Sequence, residues 1–267
     1  MRSVRPSAPV GHRAPYRLGT TSYIIPDEII PNVEFLGPQV DDIELVLFES
    51  DEFSNLPDAE TVAGLQALAG AHSLTYTVHL PLDADLGRTD EAERRRSVAK
   101  CARVIDLLAP VEPFAYIVHF HEEPALGGAA RPASAWLAAL RRSMGELRGC
   151  VADPELLCVE TLTYPFAWVE PIVAEFGASI CLDVGHVLLA GEGLEGYLDR
   201  YLMRTRVVHL HGIREGKDHR DIGGLPEELL RTLLARLRGD AERERVVTLE
   251  VFDRADFEAS MRILEGC

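Results

Sequence analysis

Cysteine is sparse in this chain, with five residues among 267. The number is odd and no CxxC pair occurs, so no disulfide framework is expected and a reducing cytoplasm is the expected setting. Cys158 and Cys181 fall inside apolar runs, where cysteine acts as a small hydrophobe. Long apolar runs are also missing. None approaches the roughly 18 residues of a membrane span. The opening MRSVRPSAPVGHRAPY lacks the apolar segment of a secretory signal, so residues 1–16 read as a disordered tail. Positive charge is short as well. Lys and Arg total 27 against 43 Asp and Glu, a formal net charge of −16. Contacts to phosphates supply most of the affinity of DNA-binding proteins, so no stable nucleic-acid partner is expected. Neither a Walker loop, nor a dinucleotide fingerprint, nor a GxSxG elbow is present.

The composition that remains suits one sizeable core, with 47% hydrophobic and 26% charged residues. Strand-like and helix-like segments alternate eight times over 17–267, with no compositional break between domains. The strands are expected at 17–24, 42–49, 73–80, 114–121, 156–162, 178–186, 206–212 and 245–252. Helices are expected near 27–38, 58–71, 90–109, 132–149, 165–176, 193–203, 225–238 and 254–264. The strands are nearly continuous apolar runs, which indicates burial on both faces and a parallel sheet. The expected fold is therefore α/β, a single-domain (β/α)8 barrel. A doubly wound open sheet is the alternative. Long loops after strands three, four and seven would rim the mouth.

Six of these runs carry a potential metal ligand at or near the C-terminal end. They read TVHLP (His79), IVHFH (His119), LCVETL (Glu160), ICLDVGH (Asp183, His186), VVHLHG (His209, His211) and VTLEVF (Glu250). Imidazoles and carboxylates closing buried strands are costly unless something satisfies them, and a cluster of divalent cations does so. Each residue alone has an ordinary structural explanation, such as capping the next helix. A barrel, however, brings all six strand ends to one mouth. Mixed imidazole and carboxylate donors suit Zn first, with Mn, Fe or Co as alternatives, over Mg or Ca. More than four candidates exceed one tetrahedral site, so two or three divalent metal ions per chain are expected, with a carboxylate between them. His119 sits deeper in its strand than His121 and is preferred. His186 and His211 have a second reading as donors to the ligands rather than ligands themselves.

Weaker candidates surround this set. The loop KDHRDIGG offers Lys217, Asp218, His219, Arg220 and Asp221, equally readable as solvated surface. GTTS at 19–22 offers Thr20 and Thr21, with Tyr23 next along, for contact to a phosphate or substrate. Glu49 closes the second strand and reads either as a substrate contact or as an ion-pair partner.

These residues resemble the xylose isomerase-like barrel superfamily, which includes endonuclease IV and many sugar isomerases and epimerases. The resemblance spans the chain from residue 17. It implies one metal held by His79, His119 and Glu160. A second would share Glu160 and add Asp183, His209 and Glu250. A third would take His186 and His219. Its carboxylate partner falls on Lys217, which cannot ligate as an ammonium, so Asp218 or Asp221 would have to substitute. Two full sites resemble the phosphodiesterase branch more than the isomerase branch. The opening GTTSYIIPDEIIPNVEFLGPQVDDIELVLFES looks like that of the cobamide-remodelling phosphodiesterases. That similarity implies hydrolysis of the nucleotide loop of a B12-type corrinoid to cobinamide phosphate and a lower-base riboside, in corrinoid salvage. Glu160 would bridge the metals and orient the nucleophile, Glu250 would help hold them, and Lys217 or Arg220 would offset phosphoryl charge. The alternative is a single-metal sugar or keto-acid isomerase or epimerase, with Glu160 and Glu250 shuttling the proton. A non-catalytic binding barrel is the third reading.

Overall fold

A strand buried on both faces must pack one row of side chains against helices and the other against the opposite wall, and the eight apolar runs do this. A computed structural model describes residues 14–50, 53–121, 132–240 and 242–267. Most of the expected N-terminal tail and residues 122–131 of the loop after the fourth strand lie outside the described residues.

The barrel strands are β1 (Arg17–Thr21), β2 (Asp42–Val46), β3 (Thr75–His79), β4 (Ala115–Val118), β5 (Leu157–Glu160), β6 (Ser179–Asp183), β7 (Thr205–Leu210) and β10 (Val246–Leu249). They close in the order β1-β10-β7-β6-β5-β4-β3-β2, every neighbour parallel. The helices are α1 (Ile29–Leu36), α2 (Ala59–His72), α3 (Glu91–Leu108), α4 (Ser134–Arg148), α5 (Glu170–Glu175), α6 (Val184–Leu189), α7 (Leu194–Tyr201), α8 (Glu227–Gly239) and α9 (Arg254–Glu265). The closed (β/α)8 barrel expected from the sequence is thus the observed architecture. No described helix is long and apolar enough to cross a membrane.

Two apolar layers hold it. Alternate strand residues such as Val78, Val118, Leu182 and Val208 join the larger core with the helices. The intervening residues Ile117, Cys158, Cys181, Val207 and Val246 form a smaller core inside the barrel. Because side chains alternate along a strand, the inner row continues two residues on. Ile117 leads to His119, Cys158 to Glu160, Cys181 to Asp183 and Val207 to His209. The period that builds the inner core therefore also delivers the polar residues to the C-terminal mouth. Aspartates start several helices. Asp58, Asp90 and Asp253 accept backbone N–H bonds at the first turns of α2, α3 and α9.

Three elements depart from the sequence expectation. The sixth strand stops at Asp183, and VGHVLL forms α6 instead of extending the strand. An apolar run of that length fits either structure by periodicity, and the Asp183 cap decides it. The helix expected at 165–176 is shorter, with a 3-10 turn over Phe166–Trp168 followed by α5. Pro165 and Pro171 limit the first turns there. The loop after β7 contains an antiparallel hairpin, β8 (Gly212–Arg214) with β9 (Lys217–Arg220). Its turn uses left-handed backbone at Glu215 and Gly216.

Candidate metal centre

Glu160 is the hub of the mouth. Its Oε2 lies 2.8 Å from His119 Nε2 and 3.7 Å from His79 Nε2. On the other side it lies 3.5 Å from His209 Nδ1. Donor atoms of His79, His119 and Glu160 form one compact group, and those of Glu160, Asp183, His209 and Glu250 form another, each within 4.8 Å. Glu160 belongs to both. All six side chains expected from the strand ends are brought together, each at least nine-tenths buried except His119, which is slightly more open.

Local bonds aim each donor. His79 Nδ1 lies 2.9 Å from the Leu80 carbonyl. That bond places the ring proton on Nδ1 and frees the Nε2 lone pair for the centre. Asp183 caps α6 by accepting the His186 N–H through Oδ1 at 2.6 Å. Its Oδ2 is left 3.2 Å from His186 Nδ1 and 3.8 Å from His209 Nδ1. His211 groups with His186 and His219, donor atoms within 4.8 Å of one another, but both of its ring nitrogens already face partners. Its Nδ1 accepts the backbone N–H of His219 at 3.0 Å, so the proton sits on Nε2, which faces both Asp183 oxygens at 3.2 Å. Gly185 makes room for that ring, since a Cβ there would lie 2.0 Å from His211 Cε1. His121 stays out of the groups. Its ring packs on His119 with centroids 5.2 Å apart, and its carbonyl accepts from Trp136 Nε1.

The hairpin supplies an outer position. His219 has a left-handed backbone, φ 52°, and its Nδ1 lies 3.5 Å from Glu250 Oε2. Asp218 Oδ2 lies 4.0 Å from His186 Nε2 and 3.9 Å from His219 Nε2. Asp218 is thus the hairpin carboxylate that faces both His186 and His219, although the compact donor group there is His186, His211 and His219. Asp221 is spent elsewhere, on Arg214 and the Gly223 N–H.

The remaining candidates sit as follows. Lys217 is exposed at the start of β9 and makes no ion pair among the described residues. Arg220 faces Asp256 at 3.5 Å. Thr20 and Thr21 are buried and donate their hydroxyls to the Leu249 and Val251 carbonyls. Tyr23 is exposed at the rim and packs edge-on against Phe48. Glu49 pairs with Arg103 and accepts from Ser54, each at 2.6 Å. Sequence reasoning missed Glu44, a fully buried carboxylate in the middle of β2 with Oε2 2.8 Å from His209 Nε2. It precedes the strand end by two residues, outside the strand-end pattern that marks the ligand candidates.

The donor set fits divalent metal. Glu160 Oε1, His186 Nδ1, His209 Nδ1 and Glu250 Oε2 are buried polar atoms without a hydrogen bond. Buried polar atoms are ordinarily paired, and unpaired ones in such a cluster point to an ion. Imidazole and carboxylate together suit Zn, Mn, Fe or Co.

Without metal, protons hold these groups together. Burial opposes charge on His186, but the Asp183 and Glu160 carboxylates outweigh it and raise the imidazole to about 10. Burial likewise opposes charge on His209, which is nonetheless raised, with Cys181, Glu250, Glu44 and Glu160 contributing. Burial pushes Glu160 and Glu250 up, yet their histidine neighbours hold both below the usual carboxylate range. A raised imidazole stabilises the fold fully below its ordinary value of 6.5 and loses that contribution as pH climbs toward about 10. Metal requires the neutral imidazole, so its affinity rises over the same window. The melting-temperature gap between metal-loaded and metal-free protein should therefore widen as pH rises above 6.5, with protons released on loading. Scanning calorimetry across that window checks the first, and titration calorimetry in buffers of different ionisation enthalpy the second. A constant gap with no proton release would contradict this charge balance.

Comparison with known proteins places the architecture. The model of the xylose isomerase-like TIM barrel family matches residues 37–267. A D-tagatose 3-epimerase-like protein has a similar structure, with TM-score 0.77, 18% identity, and coverage of 94% of this chain and 96% of the other. Endonuclease IV from Thermus thermophilus gives TM-score 0.71 and 20% identity over 94% of this chain and 100% of that one. A probable 3-DHS dehydratase from Bacillus anthracis gives TM-score 0.70 and 14% identity over 93% and 98%. No curated protein matches the sequence. At these identities the structural neighbours establish the fold alone.

Proposed function

Because the chain belongs to the xylose isomerase-like TIM barrel family, we propose that it is a metal-dependent phosphodiesterase that opens the nucleotide loop of cobamides, giving cobinamide phosphate and a lower-base riboside. The observation that carries the hydrolytic part is the second group of donors. Glu160, Asp183, His209 and Glu250 suffice for one ion, and His79 with His119 adds a further pair that shares Glu160. A single-metal isomerase has no need of that pair.

Bound divalent metals would polarise the phosphoryl oxygens and lower the pKa of a water. The protein's part is to hold donors at fixed positions in a site shielded from bulk water. Glu160 links the two donor groups, and its negative charge would favour holding two cations there. Asp183 and Glu250 add charge and, with His209, would hold the second ion. His79 and His119 offer neutral donors on the substrate-accessible side, where His119 is the more open of the two. Lys217, exposed on the hairpin and without an ion pair among the described residues, is a cation able to meet a phosphoryl group. The rim's other nearby cations, Arg214 and Arg220, already face carboxylates.

The corrinoid substrate rests on the likeness of residues 19–50 to cobamide-remodelling enzymes. The net charge of −16 supports a small-molecule substrate over a DNA duplex. A cytoplasmic setting is part of the same proposal. Incubating metal-loaded protein with adenosylcobalamin should yield cobinamide phosphate and the lower-base riboside by mass spectrometry. Intact cobalamin alongside turnover of a ketose would replace this reading with the epimerase one. The four-donor group, complete without His79 and His119, is the feature that keeps that alternative in view.

A further inference from the structure

We propose that Glu44 is the positioning residue of the metal centre, locking His209 in the tautomer that presents Nδ1 to the metal shared with Glu160. Glu44 lies on β2, in register with Thr21 and Thr77 of the flanking strands, and is fully buried. No Lys or Arg pairs with it among the described residues. A buried carboxylate without a cation is costly unless it satisfies a specific partner. Glu44 Oε1 is unpaired and the carboxylate also groups with the donors of His79 and Glu250, but its one side-chain hydrogen bond among the described residues is to His209. Oε2 lies 2.8 Å from His209 Nε2, and both side chains are fully buried.

A neutral imidazole carries one ring proton, and a carboxylate acceptor fixes it on the nitrogen it faces. With Nε2–H donating to Glu44, the Nδ1 lone pair is free. That atom has no hydrogen bond of its own, and it lies 3.2 Å from Glu250 Oε2, 3.5 Å from Glu160 Oε2 and 3.8 Å from Asp183 Oδ2. It is therefore the one nitrogen of His209 able to reach the metal. His79 is held the opposite way, its Nδ1 against the Leu80 carbonyl and its Nε2 toward Glu160. The two rings stand nearly parallel, 24° apart with centroids at 6.3 Å, so the centre uses opposite tautomers of two neighbouring histidines. Backbone sets one and Glu44 sets the other. Partners that orient metal-bound histidines typically contribute about 10–100-fold in metal affinity.

This inference rests on the metal-binding part of the proposed function and not on the phosphodiester substrate. The test is a Co2+ titration of the full-length wild type, Glu44→Gln and Glu44→Leu, without substrate, followed through the d–d absorption bands. Glutamine still accepts the Nε2–H bond, so Glu44→Gln should bind within about tenfold of wild type, while Glu44→Leu weakens binding by about 10–100-fold. On the Zn2+-loaded proteins, two-bond 1H–15N spectra should show His209 as the Nε2–H tautomer in wild type and Glu44→Gln. Equal affinity for Co2+ in wild type and Glu44→Leu would overturn the proposal. So would equal losses in Glu44→Gln and Glu44→Leu, which would make Glu44 a ligand. Glu44→Gln, nearly the same shape as the native residue, keeps the comparison valid if Glu44→Leu fails to fold.

Discussion

Glu160→Ala is expected to abolish turnover and to empty the centre of metal. Glu160 is fully buried, and Oε2 alone lies within 3.7 Å of His79, His119 and His209. Its other oxygen is 3.2 Å from His186 Nδ1. No other residue belongs to both donor groups of the proposed pair, so its removal weakens both ions at once. It also leaves four imidazoles facing one another with one fewer negative charge among them. Losing the Lewis acid forfeits several kcal/mol of transition-state stabilisation, and ~4 kcal/mol is a thousandfold in rate. The measurement is kcat/KM alongside metal content of the same sample. Glu160→Ala protein with metal bound and more than about a tenth of wild-type kcat/KM would remove Glu160 from the mechanism. Glu160→Gln sharpens the result, because it keeps the shape and loses the charge that draws two cations together.

His119→Ala is expected to lower the metal count by one and phosphodiester hydrolysis by about a hundredfold or more, corresponding to ~3 kcal/mol. The second ion should remain, since Glu160, Asp183, His209 and Glu250 are untouched. This variant separates the two functional readings. In a single-metal epimerase the four remaining donors hold the working ion, and the variant would keep both its metal and most of its activity. In the hydrolytic reading, one ion lost means one side of the displacement unsupported. Metal analysis by mass spectrometry and an assay of each reaction decide between them. His79 is tied to backbone through Leu80, so its loss also disturbs β3, whereas His119 sits past the end of β4 and contacts only side chains of the mouth, Glu160, His79 and His121, among the described residues.

How much of this was legible in the sequence depended on the kind of signal each residue gives. His79, His119, Glu160, Asp183, His209 and Glu250 were readable because each closes an apolar run, and the period of a strand places them on the inner row. Glu44 was hidden because DIELVLFE reads as a strand with ordinary polar positions, and only closure of the barrel turns that position inward beneath His209. Asp218 was left open because its side of the chain depends on the hairpin turn at Glu215 and Gly216, whose left-handed geometry no spacing rule anticipates. His211 shows the reverse. Its residue type suggests a ligand, yet one backbone N–H from His219 takes Nδ1 and turns the ring into a donor for Asp183. The short α6 escaped because VGHVLL is too short for its one polar residue, His186, to distinguish a helix from a longer strand by period.

That same amide ties two parts of the centre into one equilibrium. A cation held by His186, Asp218 and His219 would restrain the hairpin, and with it the His219 N–H that fixes the proton of His211. His211 in turn orients Asp183, which belongs to the inner group. Occupancy of the outer position and affinity at the inner one are then joined by a single coupling free energy, equal in both directions. Filling the inner group would favour the outer ion by the same factor that the outer ion favours the inner. The hairpin would thus couple the outer ion to the inner pair, so that loading one would change the affinity of the other.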